Sequence, residues 1–210
     1  MTRRRVGGLV LAGGRSRRFT GDKASAVLGG RTLLEIALST LDAIAAETAV
    51  AARRDSAAGR LAARLGSDVL EDSPSHPAGP LAGAAAGLAW ARRRGFDWLA
   101  TLPCDVPLVT PAVFERLLAE AAGAGGAYAA SADGSHALIS MWRVDKAEGL
   151  RRRLEAGEHP AVREALAQAG ARAVMFADTG LFRNINTRAE LAAVEEVFAC
   201  SAVRPAAAPR

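Results

Sequence analysis

The chain has 210 residues, 27 of them Lys or Arg against 22 Asp or Glu, for a net charge of +5; half are hydrophobic and only 5% aromatic. That length suits one domain with a substantial core built from Ala, Leu and Val, and no apolar run approaches the roughly 20 residues of a membrane span. The basic clusters at 3–5, 92–94 and 151–153 lack interleaved aromatics, and solvated helix ends explain the last two better than a nucleic-acid surface; Cys104 and Cys200 show no metal-type spacing, which suits a reducing cytoplasm.

The apolar run 6–11 reads as a buried strand of a parallel sheet. It meets Gly13-Gly14, three arginines (Arg15, Arg17 and Arg18) and then Gly21-Asp22-Lys23. The arginines arrive too soon for a secretory leader. Glycines just past a strand let the backbone turn sharply and offer N–H groups to an anion, and the cations supply countercharge for a polyphosphate. The spacing fits neither a Walker A loop nor a dinucleotide fingerprint, so this is a third kind of phosphate loop, unless it is a glycine-rich surface turn. Only Lys23 and Lys146 are lysines among the basic residues. A chain that otherwise uses arginine has a compact point charge at position 23, where the planar guanidinium fork is not equivalent.

Helices and strands alternate from here on, which predicts a parallel sheet between two helical layers. A helical stripe over 32–45 precedes a strand at 47–52, a helix at 56–65 and a strand at 68–72 that ends in acids. Three prolines and two glycines between 73 and 83 fix a rigid loop into a helix from about 81 to 93. It is either a plain connection or, because it follows a strand's carboxyl end, part of a ligand site. A strand at 96–102 runs into Pro103-Cys104-Asp105-Val106-Pro107. A preorganised carboxylate beside a triphosphate suits Mg²⁺, which takes one or two protein oxygens and fills the rest with phosphate and water. Asp105 could equally make a turn or cap the helix that starts near Thr110. A helix at 111–122, strands at 127–131 and 136–142 joined by Asp133-Gly134, helices at 144–156 and 160–169 and a strand at 171–177 follow. His136 has no assigned role. The only asparagines in the chain are Asn184 and Asn186. Two residues apart in extended backbone they face one side, as ligand groups or as caps for a helix at 188–198. Residues 1–199 form one domain and 200–210 a disordered tail.

The segments Leu-Ala-Gly-Gly-Arg-Ser-Arg-Arg, Asp-Lys, Leu28-Gly29-Gly30-Arg31, Pro-Gly-Pro-Leu-Ala-Gly, Pro-Cys-Asp-x-Pro and Asn-Ile-Asn-Thr resemble the molybdenum cofactor guanylyltransferases. The resemblance implies a three-layer αβα, Rossmann-like nucleotidyltransferase fold with a mostly parallel sheet. It implies transfer of GMP from GTP to molybdopterin-bound molybdenum with release of pyrophosphate. On that basis Leu11, Ala12, Gly13, Gly14, Asp72, Gly79, Pro80 and Leu81 bind the nucleotide, Asp105 holds Mg²⁺, and Lys23, Arg15 and Arg18 neutralise the leaving pyrophosphate. Asn184 and Asn186 line the pterin side of the cleft, at the opposite end from the nucleotide. Partners are GTP, the molybdopterin cofactor and cofactor-delivery or molybdoenzyme chaperone proteins, in the cytoplasm, without nucleic acid or membrane. The sister cytidylyltransferases read Leu-Ala-Ala-Gly at 11–14 and are the alternative, followed by sugar-1-phosphate nucleotidyltransferases. The chain departs from the family at Phe19-Thr20, at Ala51-Ala52-Arg53-Arg54, at His136-Ala137 and at Arg188.

Overall fold

The computed structural model describes residues 5–13, 22–71 and 79–202, without the side chains of 147–148 and 197–202. Strand β1 (Val6–Leu11) carries apolar side chains or none, so both faces can be buried, as the middle of a helix-covered parallel sheet requires. It pairs in parallel with β4 (Glu47–Ala51) on one side and β6 (Trp98–Pro103) on the other, and β5 (Asp68–Leu70) extends the β4 side. Beyond β6 come β8 (Gly134–Arg143), β7 (Gly126–Ser131) and β9 (Ala171–Met175), completing the order β5-β4-β1-β6-β8-β7-β9. Strand β8 alone runs antiparallel to its neighbours, because it returns from β7 through the tight turn before Gly134, whose φ is +124°.

Side chains alternate across the sheet. Val10, Val50, Ala100 and Leu102 pack with α1 (Leu33–Asp42), α2 (Ala57–Arg64) and α4 (Pro111–Glu120). Leu9, Ala49, Leu99 and Trp142 pack with α3 (Pro80–Arg93), α5 (Ala147–Glu155) and α6 (Val162–Gln168). The result is the expected three-layer αβα fold with a mostly parallel sheet. Close approach of the layers needs small residues: a Cβ on Gly7 would lie 2.6 Å from the Phe96 ring, and one on Gly87 2.4 Å from Leu9.

Several boundaries move by a residue or two for a capping reason. Helix α1 starts at Leu33 because Thr32 is its N-cap, closing a capping box with Glu35. Ser56 accepts from the Gly59 amide and so precedes α2 instead of opening it. A small hairpin is new: Gly29 and Gly30, at φ +56° and +79°, form the two-residue turn between β2 (Val27–Leu28) and β3 (Arg31–Thr32). The last helix, α7 (Arg188–Ala202), runs past the expected boundary at residue 199, so 200–202 are helical; 203–210 lie outside the described residues. A third cluster of Leu28, Leu33, Ile36, Ile185 and Val194 ties this hairpin, α1 and α7 together.

Candidate active site at the carboxyl edge of the sheet

Register aligns four strand tips. Leu11 lies opposite Ala51 and Pro103, and Ala51 opposite Leu70. With strands about 4.8 Å apart the row spans about 14 Å. Backbone bonds continue past the strand ends, from the Ala12 amide to Ala51 (3.0 Å), Ala52 to Leu70 (3.0 Å) and Cys104 to Leu11 (3.2 Å). Leu11, Ala12 and Gly13 thus leave the sheet at the middle of the rim, with Gly13 exposed. Here the strand order reverses, since the chain runs from β1 to β4 and β5 on one side and then crosses back to β6 on the other, the place open α/β sheets reserve for ligands. Gly79 is the exposed N-cap of α3, Pro80 its first residue, and Leu81 is buried beneath them. Gly79 has no side chain to cap this 14-residue helix, whose first N–H groups point toward the same edge. Gly14, Arg15, Arg18 and Asp72 lie outside the described residues.

Three distant parts of the chain meet beyond β6. Lys23 opens a short 3-10 turn, Lys23–Ser25, pinned by the buried methyl of Ala24. Its Nζ donates to Asp105 Oδ2 at 2.9 Å and to Asn186 Oδ1 at 2.8 Å. The ion pair is largely sheltered, its side chains 14% and 22% exposed. Asp105 is held from behind, since its carbonyl accepts the Ile185 amide at 2.8 Å. It does not cap α4: Thr110 occupies that N-cap, with Pro111 following. Cys104, next in sequence, is buried, and burial pushes its thiol up to about 12, so it stays protonated and is no nucleophile.

The segment carrying the asparagines is fixed along its length. Ile185 is fully buried, which turns its neighbours Asn184 and Asn186 outward. Thr187 caps α7: its Oγ accepts the Glu190 amide at 3.1 Å, while Glu190 Oε2 accepts the amides of Asn186 (2.6 Å) and Thr187 (2.8 Å). These bonds, the one from the Asn186 amide foremost, hold the Glu190 carboxyl below its ordinary range, and Lys23 adds to the effect. Neither asparagine side chain is therefore used as a cap. Asn186 is spent on Lys23; Asn184 is exposed. Asn186 thus sits beside the lysine and the carboxylate.

Sequence reasoning left His136 without a role. The structure places its Nε2 2.8 Å from Ser131 Oγ and its ring on Phe182, centroids 4.3 Å apart. Burial holds the imidazole below its ordinary value, against a smaller opposing pull from Asp133. No sequence spacing signals this contact, which depends on a bulge in β8.

Asp105 Oδ2 and Asn186 Oδ1 both face one positive charge, an all-oxygen setting of the kind a hard cation prefers. Among the described residues no group of three or more His, Cys, Asp or Glu could hold a metal, so any ion here relies on few protein donors. Among the same residues no helix is long and apolar enough to cross a membrane.

A family model described as the MobA-like NTP transferase domain matches residues 8–177. The chain is 41% identical over 189 residues to the molybdenum cofactor guanylyltransferase of Acidiphilium cryptum, covering 89% of this chain and 92% of that protein. It is 41% identical over 196 residues to that of Cereibacter sphaeroides, covering 92% and 97%. The crystal structure of molybdopterin-guanine dinucleotide biosynthesis protein A from Archaeoglobus fulgidus superposes with a TM-score of 0.74 at 25% identity, over 94% of this chain and all of that one. The family model and the relatives agree, and the chain belongs to the MobA-like NTP transferase family.

Proposed function

We propose that the protein transfers GMP from GTP to the terminal phosphate of molybdopterin carrying molybdenum, releasing pyrophosphate. The observation that carries this reading is the meeting of Lys23, Asp105 and Asn186 at the carboxyl edge, in a chain so similar to named guanylyltransferases. An acceptor phosphate oxygen attacks the α-phosphorus, the α–β bridging bond breaks, and its electron pair leaves with pyrophosphate. Protein groups have little covalent work here, so positioning and charge neutralisation dominate. Asp105 would hold Mg²⁺, which supplies charge neutralisation at the phosphates when bound. Lys23 reaches the same place as a point charge and, with Arg15 and Arg18, balances the leaving group. Leu11 to Gly14, Asp72 and the start of α3 at Gly79, Pro80 and Leu81 hold the nucleoside and phosphates. Asn184 and Asn186 meet the acceptor, Asn186 at the junction of the two halves.

The test supplies purified protein with Mg²⁺, molybdenum-loaded molybdopterin and GTP, CTP or ATP in parallel. Pyrophosphate release and dinucleotide formation with GTP alone are expected. Transfer with CTP alone would assign the chain to the cytidylyltransferase reaction instead, and turnover of a sugar phosphate but not molybdopterin would reject both.

A further inference from the structure

Strand β8 does not follow β7 evenly. Tyr128 lies opposite Ser140, yet the next residue, Ala129, lies opposite His136, so residues 137–139 bulge out of the ladder. The bulge is pinned from the β6 side: Thr101 Oγ1 donates to the Leu138 carbonyl at 2.9 Å and sits 2.8 Å from Ser140 Oγ, both hydroxyls being buried. Bulges re-aim side chains, often beside active sites. This one delivers the His136 ring onto Phe182, nearly parallel at 20°, with Ser131 holding its Nε2. Phe182 is buried and meets Phe176 edge-on, and it ends the 3-10 turn Thr179–Phe182 immediately before Arg183 and Asn184. The acceptor segment is thereby gripped at its start by the stack, at its middle by Ile185 and at its end by the Thr187–Glu190 box. Only the first grip comes from the far half of the sheet.

We propose that His136 is a positioning residue. Laid on Phe182 and anchored by Ser131, its ring fixes where the segment 183–187 leaves the sheet and so where Asn184 and Asn186 stand. The inference rests on the reading of those asparagines as acceptor-side groups. It assigns His136 no contact with substrate.

Two variants separate the ring from its nitrogen. His136→Ala removes stack and anchor together, whereas His136→Phe keeps the stack. Amide hydrogen exchange on the full-length protein reads the segment directly. In His136→Ala the amides of Ile185, Asn186 and Thr187 should exchange about tenfold faster while those of β1 and β6 hold, and His136→Phe should stay within about threefold of wild type. Turnover should follow: kcat down about tenfold in His136→Ala with the KM for GTP within about twofold, and most of it restored in His136→Phe. Unchanged exchange, acceleration spread evenly over the whole sheet, or an undiminished kcat despite local acceleration would each overturn the proposal. Should wild-type protein transfer no GMP, the transferase reading falls by itself, and the exchange comparison still decides whether His136 holds the segment.

Discussion

On the side of β5, β4, β1 and β6 the rim is set by backbone: four strand tips abreast, joined past their ends by amide–carbonyl bonds. On the side of β8, β7 and β9 it is set by side chains: a bulge held by buried hydroxyls and a histidine laid on a phenylalanine. The first construction is carried by main-chain bonds rather than by side-chain identity, which would suit the common part of a nucleotidyl transfer, the phosphates. The second can be re-aimed by one or two residues, which would suit the acceptor side of the proposed reaction. Lys23 stands between them, bonded to both Asp105 and Asn186.

The largest break should come on the backbone-set side. Asp105→Asn removes the charge while leaving the carbonyl that accepts the Ile185 amide, so the melting temperature should hold and kcat should drop at least about 100-fold. Lys23→Arg should cost about 10- to 100-fold in kcat/KM for GTP, because the guanidinium fork cannot replace a compact ammonium between two oxygens. Arg152→Lys, at an exposed position of α5, should stay within about twofold.

A finer test splits the two asparagines. Asn184→Ala should weaken the acceptor and spare GTP, whereas Asn186→Ala, beside Lys23, should weaken both. Each lost hydrogen bond costs about 1–3 kcal/mol, roughly 5- to 150-fold by titration calorimetry with each ligand. Asn186→Ala sparing GTP would restore two separate ends to the cleft.

The smallest effect is in pH. With the folded pKa of His136 below the ordinary 6.5, the unfolded chain takes up its proton first as pH falls. The contribution of the neutral ring is intact above 6.5 and is lost as pH falls through the lowered value. Glu190 behaves alike further into acid: its share is present above 4.5 and lost below, as the lowered carboxyl takes its proton. Melting temperature against pH should show the first loss in wild type and not in His136→Phe, and the second in wild type and not in Glu190→Gln.

The backbone-set half was legible in the sequence because glycines, prolines and strand ends fall in fixed order along the chain. Val6 to Gly13 and Pro103 to Pro107 announce a turn at a strand's carboxyl end by local chemistry alone, and the lone lysine near them stood out by residue choice. The Gly29-Gly30 turn was quoted as a motif, yet its flanking strands are two residues each, too short for a period to show. His136 was illegible for a different reason. Its partners lie at 131 and 182, and only the bulge over 137–139, which no local signal marks, brings them together. The asparagines carried a capping alternative that the sequence could not settle, because Thr187 and Glu190 stand in capping spacing beside them and one pair suffices.

The buried Cys104 thiol has a practical consequence. Burial pushes its pKa up to about 12, so the thiol stays protonated at neutral pH, and the sulfur is shielded from solvent. A maleimide can therefore reach it only when the tip of β6 opens. In a Cys200→Ser background, the rate of its labelling becomes a clock for opening at Asp105. GTP, Mg²⁺ or acceptor should each slow that clock in proportion to how firmly they close the edge of the sheet.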